Sequence, residues 1–289
     1  MTSFAKILAP LTGGARDAAV LASAFAAARP FNAHVAGLVV RPDATEALPF
    51  YGEGVSPAVM QEIADVSKRV SDEANRAARA SLMAAAKEAG AEVLDAPELR
   101  GAPTASFAEV LGNFADQVAL AARLSDLVVF GALKEGDRPG LTEAFEATLI
   151  ETGRPVLLSA HAAPVSFCKK IALAWNESVA SAHAVTAALP FLQCAESVEI
   201  LSVRRGNDET ISSAEVKAYL KLRGIVATES IVEAGSRVVG DVLLDAAAKG
   251  GAGMLVAGGY GHNRLREMFF SGVTRHVVSH AELPLFLVH

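Results

Sequence analysis

Residues 254–288 read MLVAGGYGHNRLREMFFSGVTRHVVSHAELPLFLV and decide the fold. An apolar run opens into a glycine-rich turn, a helical segment follows to about His280, and a last apolar run closes the stretch. A buried strand that opens into glycines and a helix is a ready site for phosphate, because glycine lets main-chain N–H groups approach an anion and a helix N-terminus adds a favourable dipole. The stretch therefore predicts a strand–turn–helix–strand unit with an anion-binding turn.

A weaker copy of this plan lies at residues 127–158. The matched segments AKILAP and KKIALA, SDLVVFGA and GAGMLVAGG, and GRPVLL and ELPLFL extend the repeat over the chain. Short apolar strands that alternate with helices indicate parallel β–α units with helices on both faces. We therefore predict an α/β fold of two tandem, doubly wound open sheets with about five parallel strands each. The predicted domains are residues 1–160 and 167–289.

The same patterns place the elements of both halves. Strands are predicted at residues 6–9, 33–40, 92–96, 127–130, 155–158, 169–174, 197–203, 226–232, 254–257 and 285–288. Helices are predicted at residues 15–29, 57–90, 106–125, 141–151, 179–191, 207–223 and 236–249. The helix at residues 106–125 rests on apolar residues near helical spacing from Phe107 to Val118, and Ser236 is the predicted N-cap of the last helix in this series.

Composition limits the function classes. Hydrophobic residues make up 52% and charged residues 20% of the 289, so a packed core is expected. The net charge of −6 argues against a general nucleic-acid binder, which carries a basic face. Cys168 and Cys194 lack CxxC or metal-ligand spacing and are expected to be buried, reduced thiols. With no signal-peptide pattern and no apolar run of the ~20 residues that a membrane span needs, a soluble cytoplasmic protein is expected.

The turn after the strand at residues 169–174 is the first part of the candidate site. It contains Ala174, Trp175, Asn176 and Ser178 at the carboxyl end of the strand. Asn176 offers a donor and an acceptor to a base or a ribose. The alternative is that Asn176 and Ser178 only shape the turn and cap the next helix.

The second part joins the glycine turn to a later small-residue step. Here main-chain amides and hydroxyls would grip two parts of a polyphosphate, and the alternative is a tight turn followed by a helix start. The residues are Gly258, Gly259, Gly261, Ser271, Gly272, Val273 and Thr274.

The connector between these two glycine segments is basic. Arg264 would neutralise a phosphate and His262 lies beside it, or both belong to a solvated surface with Glu267. His276 and His280 have metal-compatible spacing but no acidic or cysteine partner at matching spacing. No metal site is expected.

These residues resemble the glycine motif of the universal stress protein family, in its tandem, two-domain form. Gly258-x-x-Gly261 and the nine residues after it match, whereas Ser271-Gly272 stands where the family has glycine and then serine or threonine. Asn176 stands in for the aspartate that the family places near the nucleotide base, and Val203 matches the strand end whose backbone contacts adenine. The resemblance implies the universal stress protein or nucleotide-binding α-hydrolase-like fold, and ATP as ligand, with any Mg²⁺ held by the nucleotide's own phosphates.

The first half keeps the topology but not the motif. Residues 131–140 carry glycines without the spaced pattern, and Glu135 and Asp137 would repel phosphate. The turn at residues 11–14 lacks the acidic or amide residue. We therefore interpret the first half as a degenerate partner of an internal pseudo-dimer, paired through the last strands as in the family, and a further homodimer is open.

The function predicted is that of a cytoplasmic, stress-linked protein that binds an adenine nucleotide in its second half and acts as a sensor or regulator. No nucleic-acid or membrane partner is expected. Two alternatives stay open: a weak ATPase or a nucleotidyl-transferring relative on the same fold, and an interaction module that binds no nucleotide.

Overall fold

The fold was obtained as a computed structural model, which describes residues 3–42, 57–133, 140–159, 167–205, 211–259, 277–278 and 280–289. Within these stretches eleven strands form one sheet. The strands are β1 (Lys6–Leu11), β2 (His34–Arg41), β3 (Glu92–Val93), β4 (Thr104–Leu111), β5 (Leu127–Phe130), β6 (Val156–Leu158), β7 (Lys170–Ala174), β8 (Ser197–Arg204), β9 (Ala227–Glu233), β10 (Met254–Gly258) and β11 (Leu285–Val288).

Helices connect the strands and cover both faces of the sheet. They are α1 (Asp17–Ala28), α2 (Pro57–Ala89), α3 (Phe114–Ala122), α4 (Leu141–Glu146), α5 (Val179–Cys194), α6 (Ala214–Leu222) and α7 (Val239–Lys249), with a 3₁₀ turn at Arg29–Phe31 and a π-helical turn at Ala147–Glu151.

The strand order shows how the two halves are joined. Across the sheet it is β3-β4-β2-β1-β5-β6-β11-β10-β7-β8-β9. Neighbouring strands are parallel except β6 and β11, which run antiparallel with Leu285 opposite Leu158. The predicted pairing through the last strands is thus confirmed, and it fuses the two predicted sheets into one. The division into domains at residues 1–160 and 167–289 stays a prediction.

Two apolar layers hold the helices to the sheet. One layer includes Ile7 and Leu173 with residues of α1, α2 and α5, and the other includes Val128 and Leu255 with residues of α3, α4 and α7. In the first layer the ring of Phe191 lies 4.8 Å from that of Phe4 and 5.8 Å from that of Phe286, between centroids. These aromatic contacts tie the first half of the chain to the second.

The helix predicted at residues 106–125 is wrong. Thr104–Leu111 is strand β4, which pairs in parallel with β2 along its whole length, and the helix α3 starts only at Phe114. The apolar residues from Phe107 to Val118 have helical spacing by coincidence, because a strand and a helix follow each other there. Asn113 marks the boundary, since its side chain accepts hydrogen bonds from two amides of the first turn of α3.

Smaller corrections concern the ends of elements and one thiol. The predicted strand at residues 92–96 is reduced to Glu92–Val93, and α6 begins at Ala214 instead of residue 207. Ser236 is not the N-cap of α7, because the chain turns first and Val238 takes that position without a side-chain cap. Cys168 is buried as expected, and burial raises the pKa of its thiol, but Cys194 is exposed.

A buried polar cluster lies at the start of β2. The Nδ1 of His34 is 2.8 Å from Thr104 Oγ1, and its Nε2 is 2.8 Å from Ser106 Oγ. The Thr104 hydroxyl donates to the carbonyl of Glu98, so it accepts from Nδ1–H, and the neutral ring then accepts from Ser106 at Nε2. The cluster satisfies its own hydrogen bonds, which suits a structural function.

This cluster predicts a pH dependence of stability. Burial, with the charge of Lys6 as the second cause, lowers the pKa of His34. The unfolded chain therefore takes up a proton near the ordinary histidine pKa of about 6.5, whereas the folded chain does so only at lower pH. The free energy of unfolding is expected to fall as the pH drops below about 6.5, and His34→Gln should flatten that fall in urea titrations. Equal slopes in the two proteins would contradict this assignment.

Candidate functional site

The carboxyl ends of β7 and β10 meet where the strand order of the second half reverses. β7 pairs with β8 on one side and with β10 on the other, and the chain runs from β8 on to β9, away from β10. Crevices beyond such reversal points are the usual ligand sites of doubly wound sheets. Ala174 ends β7, Val203 lies one residue before the end of β8, and Gly258 ends β10. The structure therefore brings these three predicted residues to one edge of the sheet.

Asn176 organises the turn that leaves β7. Its Oδ1 accepts hydrogen bonds from the main-chain N of Ser178 at 3.3 Å and from the Ser178 hydroxyl at 2.6 Å. A main-chain N–H only donates, so the atom that faces it is the amide oxygen. Asn176 is exposed, and its Nδ2 makes no hydrogen bond to any residue that the structure describes. The turn thus uses the acceptor of Asn176 and not its donor.

Ser178 is the N-cap of α5. Its Oγ accepts from the main-chain N of Ser181 at 3.1 Å while its O–H donates to Asn176. The Ser181 hydroxyl donates in turn to the carbonyl of Ser178 at 2.8 Å. These contacts support the capping interpretation of Ser178, and its contact with a ligand stays a prediction.

Trp175 and Glu177 brace the turn against the segment before α6. The indole N–H of Trp175 donates to the carbonyl of Ser212 at 2.9 Å, and Glu177 Oε1 accepts from the main-chain N of the same residue at 2.9 Å. Glu177 has a φ of 58°, a left-handed conformation that is costly for this residue type. The brace fixes this wall of the crevice. Sequence reasoning missed Ser212 because its contacts join segments more than thirty residues apart.

Gly258 lets β10 touch the backbone of α5. A Cβ built on Gly258 would lie 2.4 Å from the carbonyl carbon of Ala180 and 2.6 Å from the main-chain N of Ser181. Such distances leave no room for any side chain. The entrance of the glycine turn is therefore held directly beside the first turn of α5, where main-chain N–H groups favour an anion.

Gly259 is held from the side of β11. Its main-chain N donates to the carbonyl of Val288 at 2.6 Å, and its carbonyl accepts from Nδ1 of His289 at 3.3 Å. The Nδ1 of His183, on α5, donates to the carbonyl of His289 at 3.1 Å. The two histidines therefore link α5 to the start of the glycine turn, a link that no sequence motif indicated.

Half of the predicted site residues cannot be placed. Gly261, His262, Arg264, Ser271, Gly272, Val273 and Thr274 lie outside the described residues.

The matching edge of the first half is closed by the chain itself. Asp17 is buried at the start of α1, and its carboxylate accepts hydrogen bonds from the main-chain N of Thr12 at 3.0 Å and of Gly13 at 2.8 Å. Gly13 has a φ of 76°, and a Cβ there would lie 2.4 Å from the carbonyl oxygen of Ala74 in α2. An internal carboxylate thus occupies amides at the carboxyl end of β1. Sequence reasoning missed Asp17. The only indication in the sequence is that an acidic residue stands four positions after Gly13, the first glycine of the pair.

Neither a metal centre nor a membrane span emerges from the residues described. Across those stretches, no three histidine, cysteine or acidic side chains come together as a metal-binding group. Within the same stretches, no helix combines the length and the apolar character that crossing a bilayer requires.

Comparison with known proteins gives a family-model match for the second half of the chain and a shared fold for nearly all of it. Residues 168–289 match the model of the universal stress protein family. The superposition on a universal stress protein from Archaeoglobus fulgidus covers 98% of this chain and 95% of that protein, with a TM-score of 0.64 and 13% sequence identity. The superposition on a putative universal stress protein from Pseudomonas aeruginosa covers 99% of this chain and 93% of that protein, with a TM-score of 0.57 and 15% sequence identity. At these identities the likeness shows a shared fold along nearly the whole chain. No curated protein matches the sequence.

Proposed function

We propose that the crevice at β7 and β10 binds ATP, because residues 168–289 match the model of the universal stress protein family and the fold is shared with a universal stress protein along nearly the whole chain. The bound nucleotide makes the protein a stress-linked sensor or regulator in the cytoplasm. The observation that carries the proposal is the contact of Gly258 with the backbone of α5. It places the start of the glycine motif against a helix N-terminus at the point of strand reversal.

The adenosine part of the ligand belongs at the ends of β7 and β8. In the parallel register Ala174 is opposite Leu201, and the main-chain N of Trp175 donates to the Leu201 carbonyl at 2.9 Å. Val203 follows two residues later at the edge, where its backbone would meet the adenine. The unused Nδ2 donor of Asn176 is suited to an acceptor of the base or the ribose.

The phosphates belong on the other side, along the glycine motif. We assign their contacts to main-chain amides of Gly261, Gly272 and Val273, with the hydroxyls of Ser271 and Thr274. The amide of Gly259 already donates to Val288, so this glycine would shape the turn. Arg264 and His262 would offset the phosphate charge. Mg²⁺, where present, would be held by the phosphates themselves.

Binding without fast turnover is the expected behaviour. Catalysis of hydrolysis needs a base free to activate water. Glu177, the carboxylate of the β7 turn, is oriented toward the segment before α6 by the hydrogen bond that its Oε1 accepts from the main-chain N of Ser212. A sensor that exchanges nucleotide fits this arrangement better than an enzyme.

Asn176→Ala tests the proposal at its best-defined side chain. Loss of one hydrogen bond to the nucleotide is expected to weaken ATP binding roughly tenfold, equivalent to about 1.4 kcal/mol, in calorimetric titration. Asn113→Ala is the matched control, because Asn113 also accepts from main-chain amides at a helix start but lies in the other half. It should lower stability by about 1 kcal/mol and leave ATP affinity unchanged. Equal ATP affinity of Asn176→Ala and the wild type would refute the assignment.

A further inference from the structure

An apolar stripe lies along the first half of α2. Val59, Ile63, Val66 and Val70 are spaced by four, three and four residues, and their exposed fractions are 46%, 37%, 44% and 62%. At about 100° per residue, the four side chains fall within an arc of about 60° on the helix. This is the spacing of a coiled-coil seam, where apolar positions face a second helix.

The stripe is on a part of α2 that extends past the sheet. Asp72 of α2 pairs with Arg41, the last residue of β2, at 2.6 Å, and Ala74 contacts Gly13, just after β1. The parallel strands end at these contacts, so the helix before Asp72 lies beyond their carboxyl ends. At 1.5 Å per residue this extension is about 22 Å long.

We propose that the stripe is the contact surface for a second copy of this chain, in an antiparallel pair of α2 helices. A register that sets Val59 opposite Val70 of the partner subunit and Ile63 opposite Val66 of the partner subunit uses all four residues. The same patch then serves both chains, as a two-fold dimer requires.

Charge beside the stripe favours this orientation. Glu62 and Arg69 are exposed and lie seven residues apart on one flank, whereas Met60 and Ser67 on the other flank are uncharged. In an antiparallel pair equal flanks meet, so Glu62 pairs with Arg69 of the partner subunit on both sides of the axis. A parallel pair would bring the charged flank against the uncharged one. Opposite charges of the two subunits therefore meet only in the antiparallel arrangement.

Sedimentation velocity of the full chain tests the proposal. Up to about 200 μM protein, a range that covers dissociation constants to about 10⁻⁴ M, the wild type is expected to form a reversible dimer. Val66→Asp should raise the dissociation constant at least about tenfold, since a carboxylate would enter the seam. Met83→Asp is the matched control, because Met83 is 37% exposed on the same helix and lies about 130° from the centre of the stripe. This control should dimerise like the wild type.

Charge reversal supplies a test that leaves the apolar seam intact. Glu62→Arg and Arg69→Glu should each weaken the dimer several-fold, and the double variant should recover the affinity of the wild type. A wild type that stays monomeric throughout, equal weakening by Val66→Asp and Met83→Asp, or a double variant without recovery would each overturn the proposal. The test is independent of ATP, so it stands or falls apart from the proposed function.

Discussion

Gly258→Ala is expected to destabilise the second half of the sheet by about 3 kcal/mol or more, at the upper end of overpacking effects. A single methyl group at this position would lie 2.4 Å from the Ala180 carbonyl carbon, which belongs to the backbone of α5 and cannot turn aside as a side chain could. Either α5 or the end of β10 must shift, and both line the candidate site. The variant is therefore also expected to lose ATP binding, which urea unfolding and calorimetry would measure together.

Gly101→Ala is the control for this substitution. Gly101 has open space around its Cα and no left-handed φ, so an added methyl meets nothing. Its stability should remain within about 0.5 kcal/mol of the wild type. If Gly258→Ala were as stable as Gly101→Ala, the close contact between β10 and α5 would not exist in the protein.

Asp17→Asn is expected to destabilise the first half by about 3 kcal/mol, because it replaces one acceptor oxygen with a donor in a buried site. The carboxylate receives hydrogen bonds from the amides of Thr12 and Gly13 and from the Thr12 hydroxyl. An asparagine would point its NH₂ group at one of these donors. Urea unfolding of the intact chain measures the loss.

Asp116→Asn is the matched control for the second prediction. Asp116 also lies in the first turn of a helix, α3, but it is exposed. Only its small interaction with the helix dipole is lost, so about 0.5 kcal/mol is expected. Similar losses in the two variants would mean that the turn at Thr12 does not depend on the Asp17 carboxylate.

Most helices and strands could be predicted because apolar residues recur along each of them with one clear period. The short apolar strands at Leu127–Phe130 and Leu285–Val288 and the long charged helix α2 agree with their predictions within a few residues. β4 could not be separated from α3 by periodicity, since one apolar pattern runs through both. The pairing of β6 with β11 was predicted only from the family resemblance, because neither strand alone specifies its neighbour, and its antiparallel direction was not predicted.

The candidate site was predictable in outline and not in its contacts. Gly258 and Asn176 were predicted at or just beyond a strand end and lie there, because a glycine closes one apolar run and a polar residue follows soon after the other. That Gly258 must also pack on α5 depends on the distance between two elements. That Asp17 reaches back to Thr12 depends on the conformation of the turn between them. Neither property is encoded in local sequence pattern.

Calorimetric titration of the intact wild-type chain with ATP tests the central claim most directly. We predict one nucleotide per chain, because the crevice at β7 and β10 offers a donor and a glycine turn while the amides at the end of β1 are taken by Asp17. Two nucleotides per chain would contradict the closed first half. A titration without heat, with equilibrium dialysis also showing no bound ATP, would contradict the nucleotide site itself.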